Sequence, residues 1–205
     1  MRTFHVFLLI SSLLISCTSK TAKQVIQKDA NNQDQVFVND SINIVSLLKK
    51  VYKWHDENRQ EYSDFKFTYD DTLISGVDMI SLNHTIDGFK KTDYFSSEFL
   101  TNYLQIGLQL DSIIKNANPK YNGNEMNFGF EGADNWNGFQ DEADDYWNKL
   151  LISDFKLTTK KASLKWWINT DIGLPSSNKY LVGFIKHNGI WKVSYLYGFD
   201  KSNYR

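Results

Sequence analysis

The most constraining stretch of this chain runs from Tyr180 to Tyr197, YLVGFIKHNGIWKVSYLY. Two runs of β-branched and aromatic residues flank Asn188-Gly189. A two-residue hairpin turn of type I′ needs φ > 0 at both central positions, and Asn-Gly meets that need at least cost. The turn then sets the register. It pairs His187 with Ile190, Lys186 with Trp191, Phe184 with Val193, Val182 with Tyr195 and Tyr180 with Tyr197. Side chains alternate across a strand, so the pairs sort onto two faces. One face collects Val182, Phe184, Trp191, Val193 and Tyr195 and reads as a core face. The other sets Gly183 against Ser194, Ile185 against Lys192 and Leu181 against Leu196. A sheet covered on one side is expected.

Composition narrows the rest. Net charge over the 205 residues is -1, which does not suit a nucleic-acid footprint. Aromatic residues make up 15% of the chain, enough for one sizeable core. There is a single cysteine, so neither an internal disulfide framework nor a Cys-rich zinc site can form.

That cysteine, Cys17, closes a signal-like segment. Arg2 supplies a basic start, and Phe4 to Ile15 an apolar stretch shorter than the ~20 residues a bilayer span takes. Leu14-Ile15-Ser16-Cys17 resembles the lipobox of bacterial lipoproteins. The resemblance implies cleavage before Cys17, a lipid on its thiol, and residence in the cell envelope, facing periplasm or exterior. Two or three acyl chains at about 0.8 kcal/mol per buried methylene anchor a protein stably. Residues 1–17 are therefore read as a signal peptide with lipobox. The polar residues 18–39 are expected to form a flexible tether, and 40–205 a single domain.

Within that domain, Asp40 or Ser41 is expected to cap a helix reaching Gln60, with Ile42, Val45, Leu48, Val51, Tyr52 and His55 on one stripe. Phe65, Phe67 and Tyr69 alternate as a short strand. Leu73 to Lys91 is ambiguous, with a short helix over Leu82, Ile86 and Phe89. Ser96 or Ser97 opens a second clear helix with Phe99, Tyr103, Ile106 and Leu110 along its stripe. A long Gly- and Asn-rich loop over 116–139 follows, of the kind that is usually functional or mobile. Asp141 to Leu150 suggests a short helix. Phe155–Thr159 and Ala162–Ile168 read as strands, with Trp167 turned away from the face of Ala162, Leu164, Trp166 and Ile168.

Helices followed by antiparallel strands give an α+β class: a curved antiparallel sheet packed on N-terminal helices. Val51-Tyr-Lys-Trp54, Tyr94-Phe-Ser-Ser-Glu-Phe-Leu100, Gln140-Asp141 and Asn188-Gly-Ile-Trp-Lys-Val193 together resemble the cystatin-like roll of the nuclear transport factor 2 superfamily, in its uncharacterised envelope-domain branch. That resemblance implies a conical cavity between helices and sheet. It does not imply one activity, because members include enzymes, ligand binders and contact modules.

The chemistry-bearing residues are few. His55 and Asp141 are the acid/base candidates, with Asp56 and Asp64 as other possible carboxylate partners of the imidazole; the alternative for His55 is a helix-end imidazole near the negative dipole end. No His-Glu-x-x-His occurs, so no metal and no cofactor is expected. Asp134 to Asp145 is oxygen-rich but lacks EF-hand spacing, since Trp136 falls at the third ligand position. Trp54, Trp136, Trp167 and Tyr195 are the aromatics proposed to line a ligand site. Trp136 and Trp167 fit a core least well. The reading is a membrane-anchored envelope lipoprotein that binds a small ligand or protein without catalysis. Its alternatives are a small enzyme using His55 and Asp141, and an immunity or inhibitor protein acting through the 116–139 loop.

Overall fold

The computed structural model describes residues 16–62, 64–123, 134–138, 145–168 and 179–204. Helix α1 spans Ser16–Glu57. The chain divides between Ile42 and Asn43, so α1 contributes its stretch to Ile42 to the first unit and the rest to the second.

The segment expected as an irregular tether is helical. No Gly or Pro occurs from Ser16 to Glu57, and Lys, Gln and Ala lose little freedom in a helix. Ser41 caps nothing; its hydroxyl donates to the Phe37 carbonyl at 2.8 Å, one turn back. Farther along, Ile44, Leu48, Val51, Tyr52 and His55 turn inward, while Ile42 is exposed.

Strands β1 (Phe67–Asp70) and β2 (Leu73–Val77) form a small antiparallel hairpin. β2 occupies the start of the ambiguous stretch, and helix α2 (Met79–Thr92) the remainder. Asp78 separates them: its carboxylate accepts from the Ile80 and Ser81 amides and caps α2. Helix α3 spans Ser97–Asn116 with Ser96 as its cap, and Phe99, Tyr103, Ile106, Leu110 and Ile114 are buried.

Strands β3 (Leu150–Leu157), β4 (Lys161–Ile168), β5 (Tyr180–His187) and β6 (Ile190–Leu196) make a four-stranded antiparallel meander in chain order. The fold is α+β, with a curved sheet whose inner face lies against the helices. Tyr52 on α1 accepts a hydrogen bond from the Trp166 indole at 3.0 Å, tying helix to sheet.

The Asn188-Gly189 turn has the expected positive φ at both residues, 49° and 83°. His187, Lys186, Ile185 and Phe184 face Ile190, Trp191, Lys192 and Val193 as anticipated. Beyond Phe184 the register shifts. Gly183 faces Tyr195 and Val182 faces Leu196, not Tyr195, so Tyr180–Tyr197 and Leu181–Leu196 are not pairs either. Ser194 is the additional residue of a β-bulge. The bulge delivers Leu196 to the core and turns Tyr195 to the opposite face, where its hydroxyl donates to Asp200 at 2.9 Å.

The β6 edge is engaged by the entry to α3. The Ser96 amide donates to the Val193 carbonyl at 2.9 Å, and the Val193 amide to Tyr94 at 2.8 Å. Ser96 is thus both helix cap and strand clasp. Ser96→Ala is expected to lower stability by about 1 kcal/mol and Ser96→Gly by only a few tenths. Urea midpoints check this; equal losses for both variants would assign the effect to something other than the cap.

Candidate functional site

The interior is organised by residues 134–138. The sequence placed Trp136 outside the core. It is 1% exposed, and Asn135 and Asn137 beside it are buried as well. The local cause is turn chemistry. The Asp134 carboxylate accepts from the Trp136 amide at 2.6 Å, and the Asp134 carbonyl from the Gly138 amide at 2.7 Å. Gly138 has φ 73°, which glycine adopts without strain.

A second set of contacts seats this turn. The Tyr180 hydroxyl donates to the Asn135 carbonyl at 2.5 Å and accepts from the Gly198 amide at 2.8 Å. The Tyr204 hydroxyl donates to the Gly198 carbonyl at 2.9 Å. A Cβ on residue 198 would lie 1.8 Å from the Asn135 carbonyl oxygen, so only glycine allows this approach.

Trp136 then fills the middle of the unit. Its ring stacks on His55 with centroids 4.1 Å apart and planes 16° from parallel. Phe199, Phe89, Phe95 and Trp54 surround it at 5.3, 5.7, 6.1 and 6.4 Å. The seat expected to receive a ligand holds a side chain of the protein itself.

His55 is 2% exposed. Burial, reinforced by the positive charge of Arg59, lowers its pKa to about 3, so the imidazole is neutral at pH 7. Its Nδ1 is buried with no hydrogen-bond partner among the described residues, and the same holds for Trp136 Nε1. The residue next to it, Asp56, pairs with Arg59. Asp141, the expected partner of His55, lies outside the described residues, as does the stretch expected to be a short helix up to 144.

Asp64, one of the possible partners of His55, and Asp134, the first residue of the oxygen-rich stretch, both belong to this region. Asp64 is exposed, and the Asn135 side chain bonds its carboxyl. Desolvation, and then the Asp134 charge, raise its pKa to about 6. Desolvation also raises that of Asp134. Asp64 sits within electrostatic reach of the buried Tyr103 and Tyr204 hydroxyls. Among the described residues, no three His, Cys, Asp or Glu side chains cluster as metal ligands.

The four aromatics proposed to line one pocket do not converge. Trp54 is half-buried, stacked on Tyr62 at 5.3 Å, and touches Trp136 in the core. Trp167 and Tyr195 stand on the outer face of the sheet, Trp167 under the Lys179 ammonium at 4.5 Å. The sheet separates the two pairs. Asn135, Asn137, Tyr180 and Gly198 were missed. The one available signal was Asp-Asn-Trp-Asn-Gly, a large aromatic flanked by turn formers, which marks a tight turn but not the direction of its side chain.

No protein family matches this chain, and neither the curated proteins nor the solved structures contain a match to it.

Trp136→Ala is expected to cost about 3–5 kcal/mol, as truncation of a large buried aromatic does. A pH dependence follows with a definite sign. Unfolded, His55 binds a proton below about 6.5; folded, only below about 3. Stability therefore falls as pH drops from about 6.5 to about 3, by at most about 1.4 kcal/mol per unit from this group. Asp64 acts oppositely, holding its proton in the fold up to about 6 against 3.8 unfolded. The two offset each other between about pH 6 and 4. In Asp64→Asn the His55 slope is expected to appear from pH 6.5 downward. In His55→Phe, which keeps a ring on Trp136, stability is expected to fall less than in the wild type as pH drops from 6.5 to 4. Denaturation midpoints against pH read both. Parallel profiles for the two variants would refute the assignment.

Proposed function

We propose that this chain is a bacterial envelope lipoprotein, anchored through lipid on Cys17, whose second unit binds a partner or ligand without catalysing a reaction. The supporting observation is the packing of Trp136 on His55. A general base must reach its proton acceptor or donor at about 2.6–3.2 Å, directly or through one water. Here the whole ring is 2% exposed beneath the stacked indole, and its buried Nδ1 has no hydrogen-bond partner among the described residues through which a proton could pass. The cystatin-like roll is part of the same reading. What supports it is the order of elements, with helices before a four-stranded antiparallel meander.

An enzyme using His55 with Asp141 is the second reading, favoured by one observation: acids with raised pKa values and a neutral imidazole occupy the same interior. Contact with a toxin or hydrolase through the 116–139 loop is a third. Trp136 does not serve it as an exposed anchor, because the residue is buried.

Two measurements test the proposal. With an alkyne fatty acid supplied to the producing cells, the wild-type chain is expected to take up label and sediment with membranes. Cys17→Ser is expected to take up none and to leave the membrane fraction, and label retained by that variant would remove the anchor. Separately, His55→Phe, shown to be folded by circular dichroism, is expected to complement a strain lacking the protein as well as wild type does. Failure of the folded variant to complement would favour the enzyme.

A further inference from the structure

We propose that the outer face of the four-stranded sheet is a docking surface for anionic lipid headgroups of a membrane. From Leu150 to Leu196 the sequence carries seven lysines and two aspartates, in a chain whose net charge is -1. The positive excess is therefore concentrated on one part of the molecule, the sheet. The pairing register shows which of these lysines share its outer face. Ala162, Leu164, Trp166 and Ile168 are buried, so Lys161, Ser163, Lys165 and Trp167 stand on the other side of β4. Lys156 lies opposite Ser163 and Leu151 opposite Trp167. Ile185 lies between Lys161 and Lys192.

Acids neutralise only part of this face. Lys165 lies 3.5 Å from Asp154, and Lys192 2.6 Å from Asp93. Lys156, Lys161 and Lys179 are exposed, and none makes an ion pair among the described residues. At one end of the sheet an open cleft of about 520 Å³ is bordered by Lys156, Lys161, Ser163 and Ser194, and also by the acid Glu98 and the inward-facing Ala162 and Phe184. Apolar groups accompany the cations. Leu151 is 42% exposed, and Trp167, its neighbour across the pair, lies beneath the Lys179 ammonium.

Lysines around an exposed leucine and the half-buried rings of Trp167 and Tyr195 suit a membrane–water interface. The ammonium groups meet phosphates, while amphipathic rings settle at headgroup depth. A soluble anionic polymer would use the charge but has no need of Leu151. The inference extends the envelope reading and is tested without the lipid on Cys17, so that either can fail alone.

The full chain carrying Cys17→Ser is titrated with vesicles of phosphatidylcholine alone and of phosphatidylcholine with phosphatidylglycerol. The ratio of the two affinities isolates the headgroup effect from any apolar attachment of the N-terminus. The ratio is expected to favour the anionic vesicles and to fall toward one as salt rises. Lys156→Gln, Lys161→Gln and Lys179→Gln are each expected to reduce it about fivefold. The triple variant Lys53→Gln/Lys90→Gln/Lys91→Gln, on the helices, removes three positive charges elsewhere and is expected to leave it unchanged. A wild-type ratio near one overturns the proposal. So does equal loss in the helical triple variant and in Lys156→Gln/Lys161→Gln/Lys179→Gln, or binding to soluble polyphosphate with none to anionic vesicles.

Discussion

The second unit depends on one tyrosine hydroxyl. Tyr180 donates to the Asn135 carbonyl and accepts from the Gly198 amide, so a single buried oxygen joins β5, the 134–138 turn and the segment after β6. Buried backbone polar groups need partners, and this bridge supplies one to each of two irregular segments at once. Without it the turn would have no fixed depth. With it, Trp136 arrives at the centre of the aromatic cluster. The Tyr204 hydroxyl on the Gly198 carbonyl, and the Gln109 and Asn102 amides on the Tyr204 and Phe199 carbonyls, fasten the same strand exit to α3.

This polar scaffold carries a cost at its centre. His55 Nδ1 and Trp136 Nε1 are both buried without partners among the described residues, and each such group costs about 1–3 kcal/mol. The stacked rings offset part of that. Aromatic pairs add about 0.5–1.5 kcal/mol beyond their buried area, and Trp136 makes several. Burial therefore wins over hydrogen bonding at this site, and the same preference keeps His55 neutral far below its ordinary pKa.

Periodic segments were legible from sequence, and irregular ones were not. The Ser96 cap, the stripe of α3, the inward face of β4 and the Asn188-Gly189 turn follow from local rules, because each rests on neighbours a few residues apart. The β-bulge at Gly183 does not. It is enforced by Leu196 finding the core, and nothing near Ser194 announces it. The start of α1 was missed for a different reason: Asp40 and Ser41 are good caps, but no breaker precedes them, so the helix runs on. Trp136 is the largest departure. A tryptophan amid Asn and Gly looks like a surface loop until Tyr180 and Gly198, more than 40 residues away, make room for it.

The two sides of the sheet consequently present different chemistry. Inside, an indole covers the imidazole, and the Tyr180, Tyr204 and Tyr52 hydroxyls bond backbone groups and the Trp166 indole. Outside, the alternation that buries Trp166 necessarily displays Trp167, Lys165 and Lys161. A strand cannot hide both of its faces in a meander covered by helices on one side only. The residues available for recognition are therefore those the core rejects, and on this sheet they are lysines, serines and a few amphipathic rings. It is this outward composition, and not an open cone for a small flat ligand, on which the proposed docking to anionic headgroups rests.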